Sequence, residues 1–166
     1  MKYVAFILIG FIVSLSAVAQ DRGIGVSIQG DRTLFMTFDI DSKLRLEPSI
    51  YYNNSMASGE FATEHEAIEL LLGVFNKSEV SDQTNYYYGS RLGYAAKKDR
   101  YKTSYSDDKK TYEGYKVSSV IGVEYYFIEN LSLSGDISIN YRNLNGNAVT
   151  IEEISTDSGL SVRFYF

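Results

Sequence analysis

The chain of 166 residues has no cysteine, one proline, one histidine and no excess of positive charge. Without cysteine there is no disulfide framework, no thiolate for zinc and no thiol nucleophile. A single proline, Pro48, leaves long stretches free to pair backbone to backbone. The formal net charge is -5, and -6 once Lys2 is removed with a leader, so nucleic acid is not an expected partner. Beyond the first twenty residues no apolar run approaches the roughly 20 residues of a spanning helix. No P-loop and no His-Glu-x-x-His occur, and Gly23-Ile24-Gly25 lacks the third glycine and the helix of a dinucleotide fingerprint. No catalytic group, metal or cofactor is therefore expected, and the chain reads as a non-enzyme.

The first residues are of another kind. Lys2 precedes an apolar run over Tyr3–Val13, and Ala17-Val18-Ala19 offers small residues where a signal peptidase reads. Residues 1–19 are expected to be a cleaved secretory signal peptide, and 20–166 a single domain.

That domain alternates. Fifteen tyrosines and thirteen glycines suit strands with interfacial aromatics better than helices. Ile24, Val26 and Ile28 share one face, then Leu34, Met36, Phe38 and Ile40, then Leu44, Leu46, Pro48, Ile50 and Tyr52. Pro48 cannot donate to a ladder, so a bulge is expected there. Ile68, Leu70, Leu72 and Val74 mark a fourth strand; Tyr86, Tyr88, Leu92 and Tyr94 a fifth; Val117, Ile121, Val123, Tyr125 and Phe127 a sixth. Leu131, Leu133, Ile137, Ile139 and Tyr141 mark a seventh. The last is the plainest, with Leu160, Val162, Phe164 and Phe166 on one face. Turns are expected at Gly30-Asp31, Asp41-Ser42 and Ile128–Asn130, and polar loops over 53–66, 76–85, 97–113 and 143–157.

The polar face decides which side is wet. It is mostly Gly, Ser and Asn, with sparse charges at Arg45, Glu47, Glu69, Arg91, Glu124, Asp136, Arg142 and Arg163. A solvated face would carry more Lys and Glu, whereas a narrow lumen needs small residues and charges that neutralise one another. Four of these charges are positive and four negative, and Arg91 is expected near Glu124, Asp136 near Arg163. Two aromatic girdles are expected, one of Phe75, Tyr125–Phe127 and Phe164–Phe166, the other of Tyr51, Tyr52, Tyr94, Tyr115 and Tyr141. The fold class is all-β: an eight-stranded antiparallel up-and-down transmembrane β-barrel.

The run Glu124–Asp136 (Glu-Tyr-Tyr-Phe-Ile-Glu-Asn-Leu-Ser-Leu-Ser-Gly-Asp) and the final Gly159–Phe166 resemble the small eight-stranded outer-membrane barrels. These are the OmpA transmembrane-domain and OmpX/Ail-like group, and especially the outer-membrane barrel domain of Bacteroidetes-type bacteria. The resemblance implies a monomer in the bacterial outer membrane with both termini periplasmic. It also implies contact with outer-membrane lipids and lipopolysaccharide, and handling by the barrel-assembly machinery through Leu160, Val162, Phe164 and Phe166. Function is then expected in the outer loops, with a lumen plugged by paired charges and an extracellular ligand of unknown kind. The Lys97–Glu113 stretch, with Tyr101, Tyr105 and Tyr112, has the composition of a binding surface, and Asp107-Asp108 is a candidate to touch a divalent ion or to bridge lipopolysaccharide. Three alternatives stand beside this: a narrow pore for ions or small solutes, a lipid A-modifying enzyme using His65 with Ser55 or Ser58, and a soluble lipocalin-like carrier with an apolar interior.

Overall fold

The computed structural model describes residues 21–29, 33–57, 62–102, 107–146 and 149–166. The expected leader and the turn expected at Gly30-Asp31 lie outside these residues. The described chain forms β1 (Asp21–Gln29), β2 (Thr33–Asp39), β3 (Leu44–Ala57), β4 (Ala62–Ser81), β5 (Thr84–Lys102), β6 (Asp107–Ile128), β7 (Leu131–Gly146) and β8 (Thr150–Tyr165). Every strand pairs antiparallel with its neighbours in sequence, and β8 returns to β1, closing a barrel. Closure leaves no sheet edge along the shared wall.

The alternation read from the sequence sets the two faces. Outside stand Ile24, Val26, Leu34, Val74, Leu92, Ile121, Val123, Ile137, Ile139 and Phe164, all substantially exposed. Inside lie Arg45, Glu47, Glu124, Ser132, Ser134 and Arg163, almost wholly buried. This is the reverse of a soluble barrel, and the lipocalin-like alternative is overturned because the interior is polar. An apolar exterior of this extent calls for a hydrocarbon surround.

The two ends differ. At one, the connections are tight: Ile40–Lys43, Asp82-Gln83 and Glu129-Asn130. At Asp41 the carboxylate accepts the N–H groups of Lys43 (2.6 Å) and Leu44 (2.8 Å), an Asx turn that holds its pKa below the ordinary value. At the other end β4, β5 and β6 run to 20, 19 and 22 residues, about twice the 9–11 that cross a bilayer.

Several sequence expectations are corrected here. The polar stretches 53–66, 97–113 and 143–157 are mostly strand, because their ladders continue past the apolar band: Asn54 pairs with Glu66, Lys97 with Tyr112, and Asn143 with Glu152. Polarity along a strand reports solvent on both faces, not loss of pairing. The supposed long connection 76–85 is a two-residue turn for the same reason. No bulge occurs at Pro48. The β3–β4 register runs unbroken through Pro48↔Leu72, and the missing donor shows instead as a gap on the β2 side, between Phe35↔Ser49 and Phe38↔Leu46.

The girdles are also thinner than expected. Phe75, Tyr51, Tyr126 and Tyr165 share a strand with girdle residues but carry the inward parity, and Phe75 is fully buried. The outward aromatics at the short-turn end are Tyr125 and Phe127, in edge contact, together with Phe164, Phe166 and the stacked pair Tyr86 and Tyr88. Tyr52, Tyr115 and Tyr141 stand at the other end, the last two in ring contact.

Candidate functional site: the charged lumen and the extended rim

All eight charged residues singled out from the sequence point inward, but their pairing differs from the expected one. Arg45, on β3, is the hub nearest the short-turn end. Its Nε lies 2.7 Å from Asp39 Oδ1, its Nη1 2.7 Å from Glu124 Oε2, and its Nη2 donates to the Tyr165 hydroxyl at 2.9 Å. Tyr165 in turn donates to Glu124 Oε1 at 2.7 Å, and Ser132 donates to the same oxygen. Lys77 closes the set on Asp39.

Arg163 forms the next layer, pairing with Glu47 at 2.9 Å and more distantly with Glu124 at 3.7 Å, and donating to Ser134. Its guanidinium stacks 4.7 Å from the centre of the Phe35 ring. Arg91 reaches Glu47 at 3.2 Å and Asp136 at 3.3 Å, and Tyr87 donates to Asp136. So Arg91 serves Glu47 and Asp136 rather than Glu124, and Arg163 serves Glu47 and Glu124 rather than Asp136. Depth along a strand gives a level in the barrel; it does not say which partner across the lumen is met.

These two layers hold four cations (Arg45, Lys77, Arg91, Arg163) and four carboxylates (Asp39, Glu47, Glu124, Asp136). A buried set of this size is tolerable only when balanced. A separate cluster lies nearer the extended end, where Glu69 accepts from Lys116 at 2.9 Å and Arg142 at 2.8 Å. Between the clusters is a polar cavity of about 240 Å³ bordered by Glu47, Glu69, Arg91, Lys116, Asp136 and Asp157. Its size and lining suit ordered water.

The glycines and aromatics make this packing possible. A Cβ on Gly25 would lie 2.2 Å from the Phe35 ring, and one on Gly122 would lie 2.5 Å from Tyr87. The inward spaces that these glycines leave are filled by the rings that support Arg163 and Asp136. Asp39, Lys77, Tyr87, Lys116 and Tyr165 belong to the site but were not singled out from the sequence. Tyr87, Lys116 and Tyr165 carried the inward parity, which was the available signal, whereas Lys77 fell in a supposed loop.

At the extended rim, His65 Nδ1 lies 2.8 Å from Asp99 Oδ1, and Lys97 is 3.3 Å from the other oxygen. Ser55 stands directly opposite His65 in the ladder, yet no hydrogen bond joins it to the ring. Ser58 and Tyr105 lie outside the described residues. Tyr101 packs edge-on to His65, so part of the tyrosine-rich stretch is built into a β5–β6 ladder and is not a free loop.

Neither a family model nor a curated protein matches the sequence. Solved structures do match. The attachment invasion locus protein Ail of Yersinia pestis superposes with a TM-score of 0.60 at 12% identity, over 89% of this chain and 99% of that one. Neisserial surface protein A gives 0.60 at 15% identity, over 88% and 94%. A major outer membrane protein from Thermus thermophilus gives 0.62 at 13% identity, over 88% and 99%. With the closed register and the apolar exterior, these likenesses establish that the chain has the fold of the small eight-stranded outer-membrane β-barrels.

Proposed function

We propose that this protein resides in a bacterial outer membrane with both termini in the periplasm, its lumen closed by paired charges, and that it acts non-enzymatically through the extended β3–β8 rim on the outer side. The observation that carries the reading is the asymmetry of the barrel. All described connections at the end where β1 begins and β8 finishes are short, while the opposite end rises well beyond a bilayer's span. Material built outside the membrane on one side only is available for contact there. That two similar structures are described as an attachment and invasion protein and a surface protein supports the same direction.

The lipid partners and the barrel-assembly machinery, reached through Leu160, Val162, Phe164 and Phe166, belong to this proposal. So does the monomeric state. The plug is favoured over a pore because three arginines and four carboxylates cross the lumen in two consecutive layers, joined by the hydroxyls of Tyr87 and Tyr165. The lipid A-modifying alternative gains no support, since the one histidine has an acidic partner but, among the described residues, no nucleophile bonded to it.

Two measurements test the reading. Protease treatment of intact cells should cut only in the β3–β4, β5–β6 and β7–β8 hairpins, and cleavage at the Asp82-Gln83 turn instead would invert the orientation. In planar bilayers the purified barrel should give no unitary conductance. Regular conductance steps abolished by Arg91→Glu would replace the plug with a pore.

A further inference from the structure

We propose that the lumen cavity between the two charged clusters is a binding site for a small organic monocation, an ammonium group joined by a short apolar chain to a hydroxyl. The cavity measures about 240 Å³ and is closed toward the short-turn end by the layer of Arg91, Glu47 and Arg163. A cavity of about 150 Å³ already takes up benzene, so the space suits a molecule of that order. Its mouth lies beside β8. β1 first meets β8 at Gln29↔Leu160, and beyond that level β8 is paired with β7 alone among the described strands. The open edge of β8 therefore brings Thr156 and Ser158, of outward parity, onto the border of the cavity.

Charge selects a cation. Of the carboxylates on the cavity wall, Glu47 and Asp136 are met by Arg91, and Glu69 by Lys116. Asp157 is met by no cation among the described residues; its partner is the neutral amide of Asn140. Asn140 is itself buried. Its Nδ2 donates to Asp157 Oδ2 at 2.7 Å and to Ser138 Oγ at 3.3 Å, and its Oδ1 accepts from Ser118 at 2.7 Å. That network holds Asp157 in place and leaves its other oxygen to a ligand. Among the described residues no group of three acidic or histidine side chains is placed to hold a metal ion, so an organic ammonium is the cation that fits.

The rest of the wall sets what the cation carries. Ser161 borders the cavity, is 7% exposed, and its hydroxyl has no hydrogen-bond partner among the described residues; only its carbonyl is engaged, by Ser134. A buried hydroxyl left unpaired is costly, and a ligand hydroxyl satisfies it. Phe35 and Leu71 add apolar surface to the same wall. Asp157 and Ser161 share the inward face of β8 four positions apart, about 13 Å at roughly 3.3 Å per residue. Two hydrogen bonds of about 2.9 Å leave roughly 7 Å between the polar ends of the ligand, the span of a five-carbon chain. Around Ser161 the charges of Arg91 and Arg163 cancel those of Glu47 and Asp136, so the far end is a neutral hydroxyl and not a second ammonium.

The test titrates aminopentanol, with its amine and hydroxyl at opposite ends, into the folded barrel in an uncharged polyoxyethylene detergent, followed by calorimetry and protein NMR. Binding should saturate at one molecule per barrel and shift the amides of Ser138, Asp157 and Ser161. It should weaken at least tenfold for pentanol, for diaminopentane and with Asp157→Asn. Ser161→Ala should weaken aminopentanol severalfold and leave pentylamine unchanged, a split that loss of folding does not produce. Both variants must keep the heat-dependent gel shift of the wild type. Equal affinity for pentanol, or an undiminished Asp157→Asn variant, would overturn the inference, as would displacement by calcium at equal concentration. Absence of saturable binding would also overturn it and leave the cavity to water. The measurement needs neither a membrane orientation nor a conductance, so its outcome is separate from that of the proposed outward rim and plug.

Discussion

Arg45 and Glu124 meet at 2.7 Å with both side chains fully buried, and that fact governs what substitution does in the lumen. Removing one partner strands a charge in a low-dielectric site, which costs about 3–5 kcal/mol in comparable buried pairs. Arg45→Met should therefore lower the urea midpoint of the detergent-folded barrel markedly, and Arg45→Met/Glu124→Met should recover part of the loss. Equal midpoints for the single and double variants would dissolve the argument that these charges stabilise as a set. Asp41 lies outside the membrane-spanning band and behaves differently. Backbone N–H groups of Lys43 and Leu44 favour its ionised form, so its folded pKa lies below the ordinary 3.8. The stability it contributes is thus present above 3.8 and is lost as pH falls through the folded pKa. A carboxyl titration by NMR should place Asp41 below 3.8, and Asp41→Ala should abolish the acid dependence of this turn.

Among the strands, β3 and β1 show how one position sets a ladder. Pro48 keeps β3 in register with β4 but leaves a gap toward β2. Pro48→Thr should supply the missing donor, adding one slowly exchanging amide and about 0.5–1.5 kcal/mol, the usual net worth of such a bond. β1 is short and its inward positions Gly23 and Gly25 carry no side chain, so Tyr165 and Arg163 of β8 pass over it to reach Arg45 and Glu47 on β3. Gly25→Val would drive the Phe35 ring away from Arg163 and should destabilise by about 1–3 kcal/mol, the common cost of overpacking. Its heat-modifiable gel shift should move to lower temperature.

Over the whole molecule, the polarity of the two faces fixes the surroundings. The exterior band is apolar and the interior is ionic, so the barrel is stable only where hydrocarbon replaces water outside. Extracted in SDS without boiling, the closed barrel should migrate apart from its heated form, and the protein should fractionate with the outer membrane. Recovery as a soluble periplasmic protein without a heat shift would contradict the fold's own faces.

Strand number, strand direction and the identity of the inward face were legible in the sequence, because a period of two and the sparse charge on one face are properties of single strands. Eight of the lumen charges, from Arg45 to Arg163, could be named on that basis, whereas Asp39, Lys77 and Lys116 were missed. What the sequence could not yield were relations between distant strands. The pairing of Arg163 with Glu47 spans 116 positions and depends on the stagger at which the barrel closes. The inward turn of Phe75 and Tyr126 follows from parity but was obscured by reading aromatics as membrane anchors. The continuation of β4, β5 and β6 past the membrane was hidden because polar side chains there face water on both sides, and only the ladder shows that they remain paired. Local alternation was thus written in the residues themselves, whereas partners, strand ends and the open edge of β8 were decided by how the sheet closes on itself.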